Sequence, residues 1–474
     1  MAALALPVLI IVFNDTAFNV SLPSLVDRLG ASETAVAWLV TVYILASTVL
    51  MPVAGQAGDA LGKRRVYLLG IALFGLGSVV CAAARSYWWL AAGRSLQGVG
   101  GSAIVPLSLA LLSDNVPPSN RSRALGTWEA ATPAGGVLGP VLGGALLEWA
   151  GWGVTLGLMA VLAGVGLVLV RRYIRRAPPP AADRPAGAAA SRARPDVVGG
   201  VLLTGALVCL LFLVGGGAQS RHAAVALAAG GVAAGAAFVA WERRVPSPFL
   251  PIRMVSGRAF LFAMIGGFAM MFIGFGATIA SPLYLGRVLG LTPLTLGMAL
   301  IPRSGFQLIS TPLGARLVGA FGHRAPAVAG MAFSALSLAL TAVGAWRHSL
   351  PLVVAGLGGF GFARGLCPAA YSSAATMRLL PQDSGAGAGL YELARYSGAL
   401  FGSAAFGAAI PRIRESALAR GSPDATYGVV FALAAALAVL GALAGLGLPN
   451  GAGGRRRRLA ASEAAACGTA GGEG

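Results

Sequence analysis

An all-α integral membrane protein is the fold class the sequence predicts, and three observations carry it. Mean hydropathy is +0.77, with 57% hydrophobic and 11% charged residues, a balance no ordinary soluble domain shows. Fourteen windows are long and apolar enough to cross ~30 Å of hydrocarbon at about 20 residues each. The basic residues gather in the short segments between those windows, as orientation signals do.

The windows fall at roughly 4–25, 35–55, 66–84, 87–112, 124–147, 152–170, 197–217, 223–241, 259–283, 295–319, 325–346, 350–373, 386–410 and 427–448. With both termini placed in the cytoplasm, 22 of the 35 Lys and Arg residues lie in cytoplasmic segments and 8 in external ones. That bias supports an even number of helices and this orientation. Residues 1–170 then form an N-terminal six-helix bundle and 171–195, rich in Pro, Ala and Arg, a flexible cytoplasmic linker. An extra transmembrane hairpin follows at 196–244; its apolar runs hold no interior charge, which suits the periphery. Residues 245–448 form a C-terminal six-helix bundle, and 449–474 reads as a disordered cytoplasmic tail with four arginines near anionic headgroups.

Composition also excludes classes. The net charge of +19 invites a nucleic-acid reading, but its placement in inter-helix segments argues against one. Of the basic residues only Lys63 is a lysine, and the excess of Arg, Ala and Gly points to a GC-rich bacterial genome. Cys81, Cys209 and Cys367 lie in apolar runs and Cys467 in the tail, with no metal or disulfide spacing, and no cofactor motif appears. His222, His323 and His348 sit in loops without acid partners, and neither HExxH nor a nucleophile elbow occurs, so a membrane enzyme lacks its chemical inventory. The first apolar run holds Asn14, Asp15 and Asn19, which suits a retained helix better than a signal peptide.

Charges inside the windows are the candidate sites, because an intramembrane ionisable residue needs a cavity or a partner. Asp15 lies ~16 Å into the first span at 1.5 Å per residue. Its bland reading is a structural tie to a neighbouring helix. Arg94 and Gln97 share a face of the fourth helix, and that arginine can hold a nearby carboxylate ionised. Glu129 is shallow in the fifth helix, either a second titrating site or an interfacial residue. In the second half Glu392 and Arg395 are three apart and expected to pair, whereas Arg303 and Arg364 have no local carboxylate. Facing lipid would be costly for both, so each should face the cavity or meet Glu392, and an anionic or zwitterionic substrate is one consequence. The tryptophans, Trp38 among them, read by default as interfacial anchors.

The fifth helix is unusual. Ala130–Gly144 carries Pro133, Pro140 and five glycines; Gly135, Gly139 and Gly143 recur every fourth residue, and Gly136 is read onto the same face. In water glycines at up to ~1 kcal/mol and prolines at ~3 kcal/mol would melt such a helix. In lipid a side-chain-free stripe lets another helix approach closely.

These stretches resemble the fourteen-helix drug:proton antiporters of the major facilitator superfamily. Gly135, Gly139, Pro140, Gly143 and Gly144 are similar to the antiporter signature GxxxGPxxGG, which implies a kinked helix between two bundles that limits leak. The run Asp15–Pro23 is similar to the first-helix pattern DxTxxNxALP, with Ser21 in place of alanine. Gly55–Arg65 resembles the loop signature GxLaDrxGrr, with Gly55, Asp59, Gly62, Lys63, Arg64 and Arg65 as a conformational latch, departing at Ala57, Gly58 and Ala60. Arg94, Gln97 and Gly98 match RxxQGxG, which implies proton coupling by Arg94 with Asp15 as partner. Asn19, Trp38 and Tyr43 match family positions that line a cavity, and Gly153–Thr155 departs from the aromatic run usual there.

The resemblance implies a major facilitator fold of two six-helix bundles plus two extra helices, working as a monomer in the bacterial cytoplasmic membrane. It implies exchange of external protons for hydrophobic, antibiotic-like molecules, with lipid and a small-molecule substrate as partners. Export or uniport of an anionic metabolite, centred on Arg303 and Arg364, is the other transport reading.

Overall fold

A computed structural model describes residues 2–116, 121–174, 196–217, 220–245, 257–377, 384–419 and 425–449. Residues 175–195 and 450–474, most of the expected linker and tail, lie outside them, as do the side chains of Asp59, Glu129 and Pro133. Among the described residues the elements are α1 (Ala2–Leu29), α2 (Glu33–Leu61), α3 (Lys63–Ala82), α4 (Tyr87–Asn115), α5 (Arg121–Tyr173), α6 (Val197–Val214) and α7 (Arg221–Glu242). They continue with α8 (Arg258–Leu283), α9 (Pro293–Phe321), α10 (Arg324–Trp346), α11 (Leu350–Thr376), α12 (Ser384–Ala419) and α13 (Thr426–Gly445). The chain is all-helical, and ten of these helices are long and apolar enough to cross a membrane.

Local chemistry sets the boundaries. Ser32 caps α2 by accepting from the Ala35 amide, Thr292 caps α9 ahead of Pro293, and Asp196 caps α6 by accepting from Gly199. Between α2 and α3 the chain turns on Gly62 alone, at φ 98°. Gly58 is helical within α2, with Leu107 of α4 against its α-carbon. The apolar run of α5, Ala134–Tyr173, is 40 residues. That is ~60 Å of helix, twice the hydrocarbon thickness, so it must fold back. It does so at Gly151, whose φ of 80° and ψ of 170° divide it into limbs 121–150 and 152–173.

Packing falls into two groups and a pair. Helix α1 lies along the first limb of α5, α4 packs on α2 and α3, and α3 also packs on α5. In the second group α11 lies between α9 and α10, α8 packs on α12, and α13 joins α8 and α10. Helices α6 and α7 pair with each other, and α6 reaches α2 and α12. The two groups meet along α5 with α9 and along α2 with α12.

Candidate functional site

The first polar cluster is built on α1, α2, α3 and α4. Asp15 stands midway along α1 with its side chain 30% exposed, and Arg94 of α4 faces it at 3.9 Å with only 1% exposure. Arg94 is held from several directions: its Nε donates to the Leu39 carbonyl at 3.3 Å and one terminal nitrogen to Gln97 Oε1 at 3.0 Å. The rings of Phe18 and Tyr43 lie against its guanidinium, each centroid 4.2 Å away. A desolvated cation over an aromatic face gains about 2 kcal/mol, which offsets the burial of this charge. Gln97 in turn donates to Asn14 Oδ1 at 3.2 Å and Ser78 Oγ at 2.9 Å, and the Asn14 amide donates back to Asp15 at 3.4 Å.

The chemistry is asymmetric. Arginine does not deprotonate in proteins, and this one is fixed by its surroundings. Asp15 is the partner that can change charge, since 3.9 Å is longer than the ~2.8 Å of a tight charge-assisted bond. Asn19 is buried further along α1, its Oδ1 without a partner among the described residues.

Helix α5 carries this cluster's backbone to the other group. Thr16, beside Asp15, donates to the Gly135 carbonyl at 3.2 Å. A β-carbon at Gly139 would collide with Thr16 Oγ1, and one at Gly143 would sit 2.5 Å from Ala17 Cβ. The glycine stripe is therefore two stripes. Gly135, Gly139 and Gly143 face α1, whereas Gly136 and Gly144 face α9: Gly144 abuts the Pro293 carbonyl, Gly136 lies by Ser304, and Gly297 of α9 abuts the carbonyl of Pro140. Reading Gly136 onto the α1 face is corrected by the ~100° that one residue turns on a helix.

In the second group Glu392 and Arg395 pair within α12, with Arg395 Nε donating at 2.9 Å. Tyr396 beside them lies within electrostatic range of Asp15, so α12 faces the first cluster. Arg303 of α9 donates to the Gly274 carbonyl at 3.3 Å and to Thr278 Oγ1. Arg364 of α11 donates to the Met271 sulfur at 3.5 Å. Neither forms an ion pair with a described carboxylate, and Glu392 meets Arg395 rather than either of them.

At one end the two groups are held together by polar contacts. Glu33, at the start of α2 and buried to 4% exposure, receives Arg287 at 3.2 Å and Arg414 at 2.8 Å on Oε1, with the Tyr427 hydroxyl at 3.4 Å. Its Oε2 has no hydrogen-bond partner among the described residues. Thr41 and Ser403 hydrogen-bond at 2.9 Å, Thr34 donates to the Gly407 carbonyl at 3.0 Å, and Glu148 accepts from the Leu294 amide at 3.0 Å.

Among the expected latch residues, Arg64 fastens the end of α5 by donating to the carbonyls of Ile174 at 2.8 Å and Arg171 at 2.9 Å. Gly55 is helical within α2, and Lys63 and Arg65 open α3. The Trp38 ring meets Phe212 at 4.9 Å and crowds Gly215, so it packs α2 against α6. Sequence reading missed Phe18, Ser78 and Glu33, and it noted Asn14 without a role.

The Major Facilitator Superfamily model matches residues 4–403. The chain is 29% identical to the multidrug resistance protein Stp of Mycobacterium tuberculosis over 394 residues, covering 83% of this chain and 72% of that one. It is 31% identical to the puromycin resistance protein pur8 of Streptomyces alboniger over 411 residues, covering 84% and 78%. In fold it is similar to the crystal structure of a D-xylose-proton symporter, with a TM-score of 0.69 at 13% identity over 94% of this chain and 97% of that one. With its helices long and apolar enough to cross a membrane and a family match running from residue 4 to 403, the chain is a multi-pass membrane protein that belongs to the Major Facilitator Superfamily.

Proposed function

We propose that this protein exports hydrophobic, antibiotic-like molecules in exchange for protons, by alternating access to a cavity between residues 1–170 and 245–448. The observation that carries the reading is Asp15, a part-exposed carboxylate midway along α1 whose arginine partner is fixed on all sides. Relatives named for multidrug and puromycin resistance support the export of antibiotics. Coupling requires only that proton and substrate favour different states, a matter of differential affinity.

On this reading the chain crosses the membrane fourteen times, the two limbs of α5 counting separately, with both termini cytoplasmic in a bacterial inner membrane. The end held by Glu33 is then external. The hairpin 196–244 is peripheral, 171–195 a linker, 449–474 a cytoplasmic tail, and the protein acts as a monomer. Asp15 takes up and releases the proton beside the fixed charge of Arg94, Glu129 is a second titrating candidate, and Asp59 with Lys63, Arg64 and Arg65 latches the cytoplasmic side. Asn19, Tyr43 and Gln97 line the first half of the cavity. Rocking turns on α5, because its two glycine faces seat α1 and α9 at backbone contact.

Everted vesicles loaded with a pH-sensitive dye test the assignment. Adding puromycin or a fluorescent antibiotic to energised vesicles should collapse part of the pH gradient with wild type and leave it intact with Asp15→Asn. Equal collapse in both would sink the role of Asp15.

A further inference from the structure

The interior arginines of this protein differ in what holds them. Arg94 has a carboxylate, a carbonyl, an amide oxygen and two rings, and Arg395 has Glu392. Arg364 has a thioether, the weakest acceptor in the chain's inventory, for a group with five N–H donors. Arg303 has one carbonyl and one hydroxyl. Both guanidiniums converge on Gly274 of α8: Arg303 bonds its carbonyl, and a β-carbon there would lie 2.9 Å from Arg364 Cζ. They lie within electrostatic range of each other, and Arg395 within range of Arg364.

The charge balance follows. Arg303, Arg364 and Arg395 set against Glu392 leave two uncompensated positive charges among the described residues inside the second group. Two like charges held together at membrane depth are expensive unless something negative completes them. Around them the walls are aromatic and apolar: Phe360 lies 5.9 Å from Arg303 and Phe275 6.0 Å from Arg364. Met270, Ile273, Met331 and Ser334 also lie around Arg364. Planar guanidiniums with spare donors suit a carboxylate, sulfonate or phosphate, and the surrounding walls suit an apolar body.

We propose that Arg303 and Arg364 form an anion-binding subsite for the transported molecule, so that the substrates are amphipathic organic acids with an aromatic or aliphatic body. The inference deepens the exporter reading and takes its transport consequence from it, but the site itself stands on the second group alone.

The test uses the full-length protein in lipid nanodiscs, with 2-naphthoate, 2-naphthalenesulfonate and methyl 2-naphthoate as probes, titrated calorimetrically against empty nanodiscs. The acids should bind at least tenfold more tightly than the ester. Arg364→Gln should bring acid and ester within about twofold, Arg303→Gln should weaken the acids alone, and Arg364→Lys should keep part of the preference. Thermal unfolding of each variant separates a lost site from a lost fold, and the lysine variant retains charge where the glutamine one proves unstable. Acids that bind no better than the ester, or a preference untouched by every arginine variant, would overturn the proposal. Antibiotic export with no acid preference would overturn the subsite and leave the exporter standing; acid binding without gradient-driven transport would do the reverse.

Discussion

Arg94 and Arg364 sit in corresponding settings, each on a helix inside its own half of the molecule, and they are treated in opposite ways. Arg94 is 1% exposed, hydrogen-bonded to Leu39 and Gln97, stacked against Phe18 and Tyr43, and faced by Asp15. Arg364 is part-exposed, leans on one methionine sulfur, and has another arginine for company. A charge whose needs are met inside the protein is fitted to position and tune its neighbour. A charge left unmet is fitted to recruit something from outside. On the proposed reading protons belong to the first half and substrate charge to the second, and α5, packed against α1 on one face and α9 on the other, joins them.

Replacing the switchable partner should break the contrast most severely. Asp15→Asn is expected to lower gradient-driven export by a hundredfold or more, because the group that titrates is gone; vesicle transport assays measure this. Next comes the joint. Gly139→Leu drives a side chain into Thr16, and Gly144→Val drives one into the backbone of α9. Overpacking of this kind costs about 1–3 kcal/mol where the neighbour is backbone. Both variants should lower the unfolding temperature in detergent and slow transport together, unlike Asp15→Asn, which should leave stability near wild type.

A smaller effect sharpens the charge assignment. Exchange of an anion for a proton moves two charges per cycle, and each elementary charge gains about 2.3 kcal/mol per 100 mV. Collapsing the potential with valinomycin and potassium should therefore slow export of an acid more than export of its ester. The smallest effect is expected at the end held by Glu33. Glu33→Gln weakens its link to Arg287 and Arg414, both about a third exposed, so water screening leaves the closed state favoured by only ~1 kcal/mol less. A maleimide that cannot cross membranes should label Ser403→Cys about fivefold faster in that background.

How much of this was legible in the sequence follows from what the membrane forbids. Asp15, Arg94 and the Gly-Pro run announce themselves because charges and helix breakers are rare in apolar spans, so the pattern alone marks them. The helical pattern also follows, since the caps at Ser32, Asp196 and Thr292 and the turn at Gly62 are short-range chemistry. Glu33 was invisible. An acid in the first turn of a helix reads as ordinary dipole compensation, and its arginines lie 254 and 381 residues away in the chain. Phe18 and Ser78 are residue types that fill any membrane helix, and only the fold shows that they hold Arg94 and Gln97. Gly136 misled because which of two neighbours a glycine faces depends on a single 100° step.

The central claim is that a proton on Asp15 couples the cycle without being needed for the substrate to move. Purified protein reconstituted into proteoliposomes separates the two by comparing uphill transport of a labelled aromatic acid, driven by an imposed pH gradient, with its downhill exchange at equal pH. The account predicts that Asp15→Asn loses the uphill reaction and keeps the exchange, while Arg364→Gln loses both for the acid. Uphill transport surviving in Asp15→Asn would contradict it.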